Sequence, residues 1–340
     1  MILSKKTPLA IALSSVFALY SGAALADHGS LGFGIGTASP IITQPGVTLP
    51  ANMWATGVIT QFVSFDGASN QKLLDLNASG NDDVHSVNTY LQPSVFAAYG
   101  VSDDLTLGIK VPYVLRSGIR SPHVHEKENE VEVQKHGDSN GFGDVSIFGQ
   151  YRFFHSTDNL NHASVTLGLK TPTGETGVKT IQGEKFETHH QPGSGSWNPS
   201  AGISFTRAMG SFSFDTNVLY TVATKGAQGT DMGDNFGYNL ALSYAFGAPA
   251  RNAFFSSSNN APWTAILELN GERQDRQKFA DGVYDRNSGG NTVFISPGIR
   301  YSGGKSWNTA LSIGAPIVKD FNGYQTPPDY RITYRFVVAF

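Results

Sequence analysis

The chain has 340 residues, no cysteine and a formal net charge of −3 at pH 7, which excludes disulfides, thiolate metal sites and the basic surface that nucleic-acid binding requires. Only 15% of the residues are charged, whereas 38 are glycine and 35 (22 plus 13) are Phe or Tyr. This composition favours β structure over helix. We therefore expect no nucleic-acid partner.

Residues 1–26 have the three parts of an export signal. Lys5 and Lys6 precede an apolar run over 9–19, and Ala24-Leu25-Ala26 forms a small-residue cleavage site. The alternative, a membrane anchor, needs about 20 apolar residues and is less favoured. We predict a cleaved signal peptide; its removal takes away two lysines and leaves 22 basic and 27 acidic residues, a net charge of −5.

The next segment, 27–52, is rich in glycine and proline and follows neither a helical nor a strand pattern. One interpretation is that it folds into the lumen of a barrel as a plug, with Ile41, Ile42 and Val47 as an apolar lining. The other is a flexible periplasmic tail. The apolar content favours the plug.

Residues 53–340 contain repeated segments in which apolar and polar residues alternate with a period of two. In 105–117, for example, Leu105, Leu107 and Ile109 alternate with Thr106 and Lys110. Twelve such segments are predicted: 53–65, 84–100, 105–117, 141–154, 163–172, 194–208, 211–224, 235–247, 261–273, 291–302, 306–319 and 330–340.

The connections between these segments alternate between short turns and longer polar loops, except for the turn at 248–260. Outer-membrane barrels have this arrangement, because short turns lie in the periplasm and long loops outside. A secreted sandwich would also alternate, but its strands are usually about 5–6 residues long. We predict an all-β fold, a transmembrane antiparallel up-and-down β-barrel of about 12 strands in the outer membrane of a Gram-negative bacterium.

Three stretches carry a family resemblance: "GFGDVSIFGQYRFF" at 141–154, "LGLKTPTG" at 167–174 and "PGSGSWNPSAGISFTR" at 192–207. Together they resemble the outer-membrane proteins grouped as the meta-pathway phenol degradation, or transporter, family. The resemblance implies a barrel that helps hydrophobic or aromatic compounds to cross the outer membrane. It implies no particular substrate.

If the apolar side of each strand faces lipid, the opposite side places charged residues in the lumen. They could form a mildly anion-favouring constriction, or they could pair with one another and fill a narrow interior, since twelve strands permit either. The lumen candidates are Lys110, Arg116, Asp144, Arg152, Lys170, Asp215, Glu268, Glu272, Arg300, Arg331 and Arg335.

No catalytic arrangement is predicted. A lipase-like site needs a serine, a histidine and a polar partner together, and His162-Ala163-Ser164 lies at a short periplasmic turn. Histidine pairs in the long loops can bind transition metals, yet a charged loop is more often a solvated surface. We therefore predict neither a metal site nor a cofactor. The weak metal candidates are His123, His125, His136, His189 and His190.

The last segment ends on Phe340, which resembles the terminal aromatic residue by which outer-membrane barrels are recognised for assembly. We predict that its deletion impairs membrane insertion more than channel properties. The expected function is passive uptake of small hydrophobic or aromatic compounds, with outer-membrane lipid and the barrel-assembly machinery as partners. The alternative is a surface-display barrel without transport, whose loops bind a partner or metal.

Overall fold

The structure is a computed structural model that describes residues 40–81, 84–125, 130–246, 263–303 and 306–340. The predicted signal peptide and the turn at 248–260 lie outside these residues. The strands are β1 Trp54–Phe65, β2 Thr89–Ser102, β3 Leu105–His125, β4 Glu130–Phe142, β5 Ser146–His155, β6 Asn161–Lys170, β7 Asn198–Met209, β8 Phe212–Thr221, β9 Asn235–Ala245, β10 Trp263–Gln274, β11 Gly290–Gly303, β12 Trp307–Phe321 and β13 Pro328–Ala339.

Twelve of these strands form a closed antiparallel barrel, as the sequence predicts. Neighbouring strands pair in chain order, except that β4 stands outside the ring and β5 pairs with β3. The ring closes where β1 pairs with β13 over Ala55–Phe65. Closure leaves no open strand edge, which lipid could not satisfy with hydrogen bonds.

The period of two places one face of each strand outward and the other inward. On β6 and β7, Leu167 and Ile203 are exposed while Thr166 and Ser204 are buried. In a soluble protein this burial pattern would be inverted. Here it means that the apolar rows face lipid and the polar rows face the lumen.

Aromatic side chains contact one another in a row along one rim of the barrel. The rings of Trp54 and Tyr99 have centroids 4.8 Å apart, and Trp263, Tyr301 and Trp307 continue the row at 4.8 and 5.7 Å. Such girdles lie at a membrane interface. The short connections and both ends of the barrel chain lie at this rim, which is therefore the periplasmic end.

The predicted long loop at 118–140 is not a loop, and this expectation was wrong. Strand β3 continues to His125, and β4 returns beside it in a hairpin that extends beyond the barrel. The alternating Val131 and Val133 belong to this pairing. The pattern did not reveal these strands, because polar residues separate the few apolar ones, although Ile119 is buried and Val133 packs against the cluster around Leu73.

The loop between β1 and β2 also contains structure that the sequence pattern does not indicate. Helix α1 spans Asn70–Ala78 and begins at Ser69, whose hydroxyl accepts from the backbone N–H of Lys72. Single 3₁₀ turns lie at Thr188–His190 and Ala227–Gly229. Within the described ranges, no helix is long and apolar enough to cross a bilayer.

Candidate functional site

Residues 40–50 cross the periplasmic half of the lumen without forming a helix or a strand. Five of their backbone N–H groups donate to side chains of the barrel wall rather than to a neighbouring strand. Glu268 of β10 accepts from the N–H of Ile42 at 3.1 Å and from that of Thr43 at 2.9 Å. Because Glu268 is fully buried, its carboxylate fixes the segment against β10.

Other strands hold the rest of this segment. The N–H groups of Gln44 and Gly46 donate to Asn217 and Thr206, at 2.9 and 2.8 Å. The Ser164 hydroxyl donates to the carbonyl of Gly46 at 2.5 Å. A Cβ on Gly46 would lie 2.6 Å from the His162 carbonyl oxygen, so only glycine fits this close approach.

Ile41, Ile42 and Val47 are all buried within the barrel. Ile41 and Ile42 form an apolar cluster with Ile266 and Ala310 of the wall. The structure thus places the three residues inside the periplasmic half of the lumen. Residues 27–39 of the same predicted segment lie outside the described part of the chain.

A group of charged wall residues surrounds this segment. Arg331 and Arg335 lie close enough to Glu268 for a favourable charge interaction, and Arg300 does so with Asp215. Asp215 also accepts from the hydroxyls of Thr206 and Ser213. The three guanidinium groups and two carboxylates therefore partly compensate one another's charge around the segment.

The outer half of the lumen holds a cavity of about 200 Å³. Its apolar lining comes from wall and loop residues: Tyr90, Pro112, Val114, Leu219, Ala223 and Met232. Its charged lining comes from five of the predicted lumen residues: Lys110, Arg116, Asp144, Lys170 and Glu272. An apolar wall beside a few fixed polar groups is the usual composition of a small-molecule site.

Two cavity residues are held by an ion pair. The Lys170 ammonium lies 3.3 Å from the Asp144 carboxylate and 2.9 Å from the Ser194 hydroxyl. Asp144 also accepts from the backbone N–H groups of Gly174 and Ser194. The predicted strands 141–154 and 194–208 begin too early, because 143–145 and 194–197 are loops organised by this carboxylate.

Arg116 joins the cavity to the loop above it. Its Nη1 donates to the carbonyls of His190 and Gln191, at 3.1 and 3.0 Å, and its guanidinium lies over the Tyr90 ring. Glu272 instead accepts from the Asn235 amide at 2.6 Å. The cavity roof is therefore built from 190–194 and is tied to β3.

Arg152 differs from the other ten lumen candidates because it lies at the periplasmic rim. Its guanidinium forms a 2.8 Å ion pair with Asp104. Phe340 also lies at this rim, exposed, and its backbone N–H and carbonyl pair with those of Trp54.

The loop histidines divide into two sets. His123 is exposed on the β3–β4 hairpin, and the side chain of His125 lies outside the described residues. His136 shares a hydrogen bond with the Ser121 hydroxyl at 2.7 Å, and burial, followed by the neighbouring His85, lowers the pKa of His136 below its usual value.

His189 and His190 lie instead beside His85, with ring centroids 5.5 and 5.0 Å from it. The sequence did not single out His85, because it stands alone in its segment. No local spacing could have revealed that the fold brings it to the 189–190 pair.

The filled periplasmic half, the outer cavity and the closed twelve-strand ring define the chain as an outer-membrane β-barrel protein. The profile of the family described as "Putative MetA-pathway of phenol degradation" matches residues 74–336. The chain belongs to this family, and the family resemblance of its sequence is confirmed.

The chain is similar to solved structures of outer-membrane channels, and one of them has a TM-score above 0.5. An outer membrane channel from Pseudomonas putida F1 superposes with a TM-score of 0.59 at 14% identity, covering 86% of this chain and 97% of that chain. The CymD monoaromatic hydrocarbon channel gives a TM-score of 0.43 at 11% identity, covering 86% and 88%. No curated protein matches the chain in sequence.

Proposed function

We propose that the protein is an outer-membrane channel for passive uptake of small hydrophobic or aromatic compounds. The observation that carries this proposal is the outer cavity of about 200 Å³. An apolar cavity of about 150 Å³ is large enough for benzene. A single aromatic ring therefore fits between the apolar wall and the charged groups.

The lining suits an aromatic compound that bears one polar substituent. Leu219 and Val114 provide apolar contact, while Lys110, Lys170 and Arg116 provide cationic donors. A hydroxyl or carboxyl group on the ring would accept from such donors. Family membership and the channel architecture of the Pseudomonas putida F1 protein support the same proposal.

Residues 40–50 act as a plug beneath this cavity in our proposal. Their hydrogen bonds to β6, β7, β8 and β10 leave the segment fixed in the periplasmic half. Passage of a solute then requires the segment to shift. Apart from Arg152 at the rim, the predicted lumen residues act as wall and plug contacts, and we propose no catalytic role and no cofactor.

Uptake by proteoliposomes tests the proposal. The mature protein, reconstituted without other proteins into liposomes that contain lipopolysaccharide as a barrier to apolar solutes, is expected to admit toluene or phenol faster than the same liposomes without protein do. Equal rates for the two preparations would overturn the channel and favour a surface-display barrel whose loops bind a partner.

A further inference from the structure

Three imidazoles from two distant segments converge at the outer end of the barrel. His85 lies between α1 and β2, and His189 and His190 lie in the 3₁₀ turn between β6 and β7. Their ligand nitrogens all lie within 4.8 Å of one another. The Nε2 atoms of His189 and His190 are 3.1 Å apart.

A carboxylate points at the same atoms. The Oε2 atom of Glu187 lies 3.5 Å from Nε2 of His189 and 3.8 Å from Nε2 of His85. Tetrahedral coordination with bonds of about 2.0–2.1 Å places neighbouring ligand atoms about 3.4 Å apart. The observed separations bracket that value, so small side-chain rotations would bring the donors onto one ion.

The backbone that carries these side chains is fixed by other contacts. Ser86, next to His85, exchanges two backbone hydrogen bonds with Arg120, at 2.9 and 3.1 Å. The His190 N–H donates to the Glu187 carbonyl at 2.9 Å, and Arg116 donates to the His190 carbonyl. Ligands held in this way lose little freedom when an ion binds.

Burial at the cluster is uneven and leaves a route for an ion. His190 is only 2% exposed, whereas the Glu187 side chain is 47% exposed. A hydrated cation can reach the imidazoles past Glu187.

The competing explanation is a cluster of neutral imidazoles that hydrogen-bond to one another. A shared proton explains the contact between His189 and His190. A hydrogen bond between these two rings does not explain why the His85 imidazole and the Glu187 carboxylate also lie close to them. A divalent ion accounts for all four, because imidazole and carboxylate are ligands of zinc.

We propose that His85, His189 and His190, together with Glu187, bind one divalent transition-metal ion such as Zn²⁺. The ion would join the segment before β2 to the loop between β6 and β7. Because Arg116 contacts this loop and lines the cavity, the bound ion would fix the cavity roof. The outer mouth of the channel would then be stiffer with metal than without it.

Calorimetric titration of Zn²⁺ into the mature protein in detergent, after treatment with EDTA, tests this site. We expect one equivalent to bind. His85→Ala and His189→Ala should each raise the Kd at least about tenfold, since each removes one ligand. The matched control is His123→Ala, an exposed histidine on the same side, which should bind as the unmodified protein does.

Thermal unfolding provides the second measurement, with Glu187→Gln as a milder variant. Zn²⁺ should raise the melting temperature of the unmodified protein and of His123→Ala, raise it less for Glu187→Gln, and leave it unchanged for His85→Ala. Heat-modifiable electrophoretic mobility checks that each variant is folded. The proposal is overturned if no Zn²⁺ binds, if His85→Ala and His189→Ala bind normally, or if His123→Ala alone loses binding.

Discussion

The periplasmic half of the lumen is filled with backbone, whereas the outer half encloses a cavity, although charged side chains line both. In the filled half, Glu268 accepts hydrogen bonds from residues 42 and 43, and Asp215 accepts from wall hydroxyls beside the same segment. In the hollow half, Lys170 and Asp144 pair with each other and with the roof.

The difference shows that the charged residues of the barrel wall have different roles in the two halves of the lumen. Where chain passes through the lumen, the charges satisfy its peptide groups, which have no sheet partner. Where no chain passes, the charges pair along the wall and leave the apolar residues to line a space. Permeability should therefore be limited by the filled half, and selectivity should be set by the hollow half.

The largest expected effect is on the single-channel conductance, when the segment that fills the periplasmic half of the lumen is removed. Deleting residues 30–50 should raise the single-channel conductance several-fold in a planar bilayer, because residues 40–50 occupy the periplasmic half of the lumen. Gly46→Val is a milder version that keeps the chain length, since its Cβ would collide with the His162 carbonyl. Gly177→Val is the matched control, because no atom lies within 4 Å of its Cβ position. Unchanged conductance in both altered proteins would contradict the plug.

A smaller effect on conductance, together with a loss of stability, is expected from Glu268→Gln. This change removes the buried charge that holds Ile42 and Thr43 and leaves Arg331 and Arg335 less well compensated. We expect a loss of about 3 kcal/mol in the free energy of unfolding, measured by urea titration, and a modest rise in conductance. Asp329→Asn, at an exposed position on β13, should change neither quantity.

The smallest effect concerns charge in the hollow half. Lys110→Gln removes one of the cationic groups that line the cavity and should shift the reversal potential in a salt gradient towards cation preference by a few millivolts. Arg152→Gln, which removes a charge at the periplasmic rim, should shift it less. A larger shift of the reversal potential for Arg152→Gln than for Lys110→Gln would contradict this prediction, because charge selectivity would then arise at the periplasmic rim.

Local patterns in the sequence were sufficient for much of the fold. The alternation of Leu105, Leu107 and Ile109 with Thr106 and Lys110 identifies β3 and its two faces, because the strand period of two is a property of neighbouring residues. The β3–β4 hairpin was not predicted in the same way, since polar residues separate its few apolar ones, such as Ile119 and Val133. Helix α1 has a weak apolar pattern with one fully buried residue, Leu73.

The contacts of the candidate site could not be predicted in the same way. Glu268 meets Ile42, and His85 meets His189, across more than a hundred residues of chain. Such pairs depend on strand register and on the path of loops around the closed ring, which no local pattern encodes. The sequence could therefore name Glu268 and His189 as candidates without naming their partners.

The central claim is that small apolar solutes pass through the hollow half of the lumen. Toluene uptake by proteoliposomes that contain lipopolysaccharide tests it, with the unmodified protein compared with two variants. Ala223→Phe fills the cavity, whereas Ala201→Phe lies at an exposed position on the lipid-facing side of β7. We predict that Ala201→Phe transports toluene as fast as the unmodified protein, whereas Ala223→Phe falls close to the rate of empty liposomes. Equal uptake by all three proteins would contradict the claim.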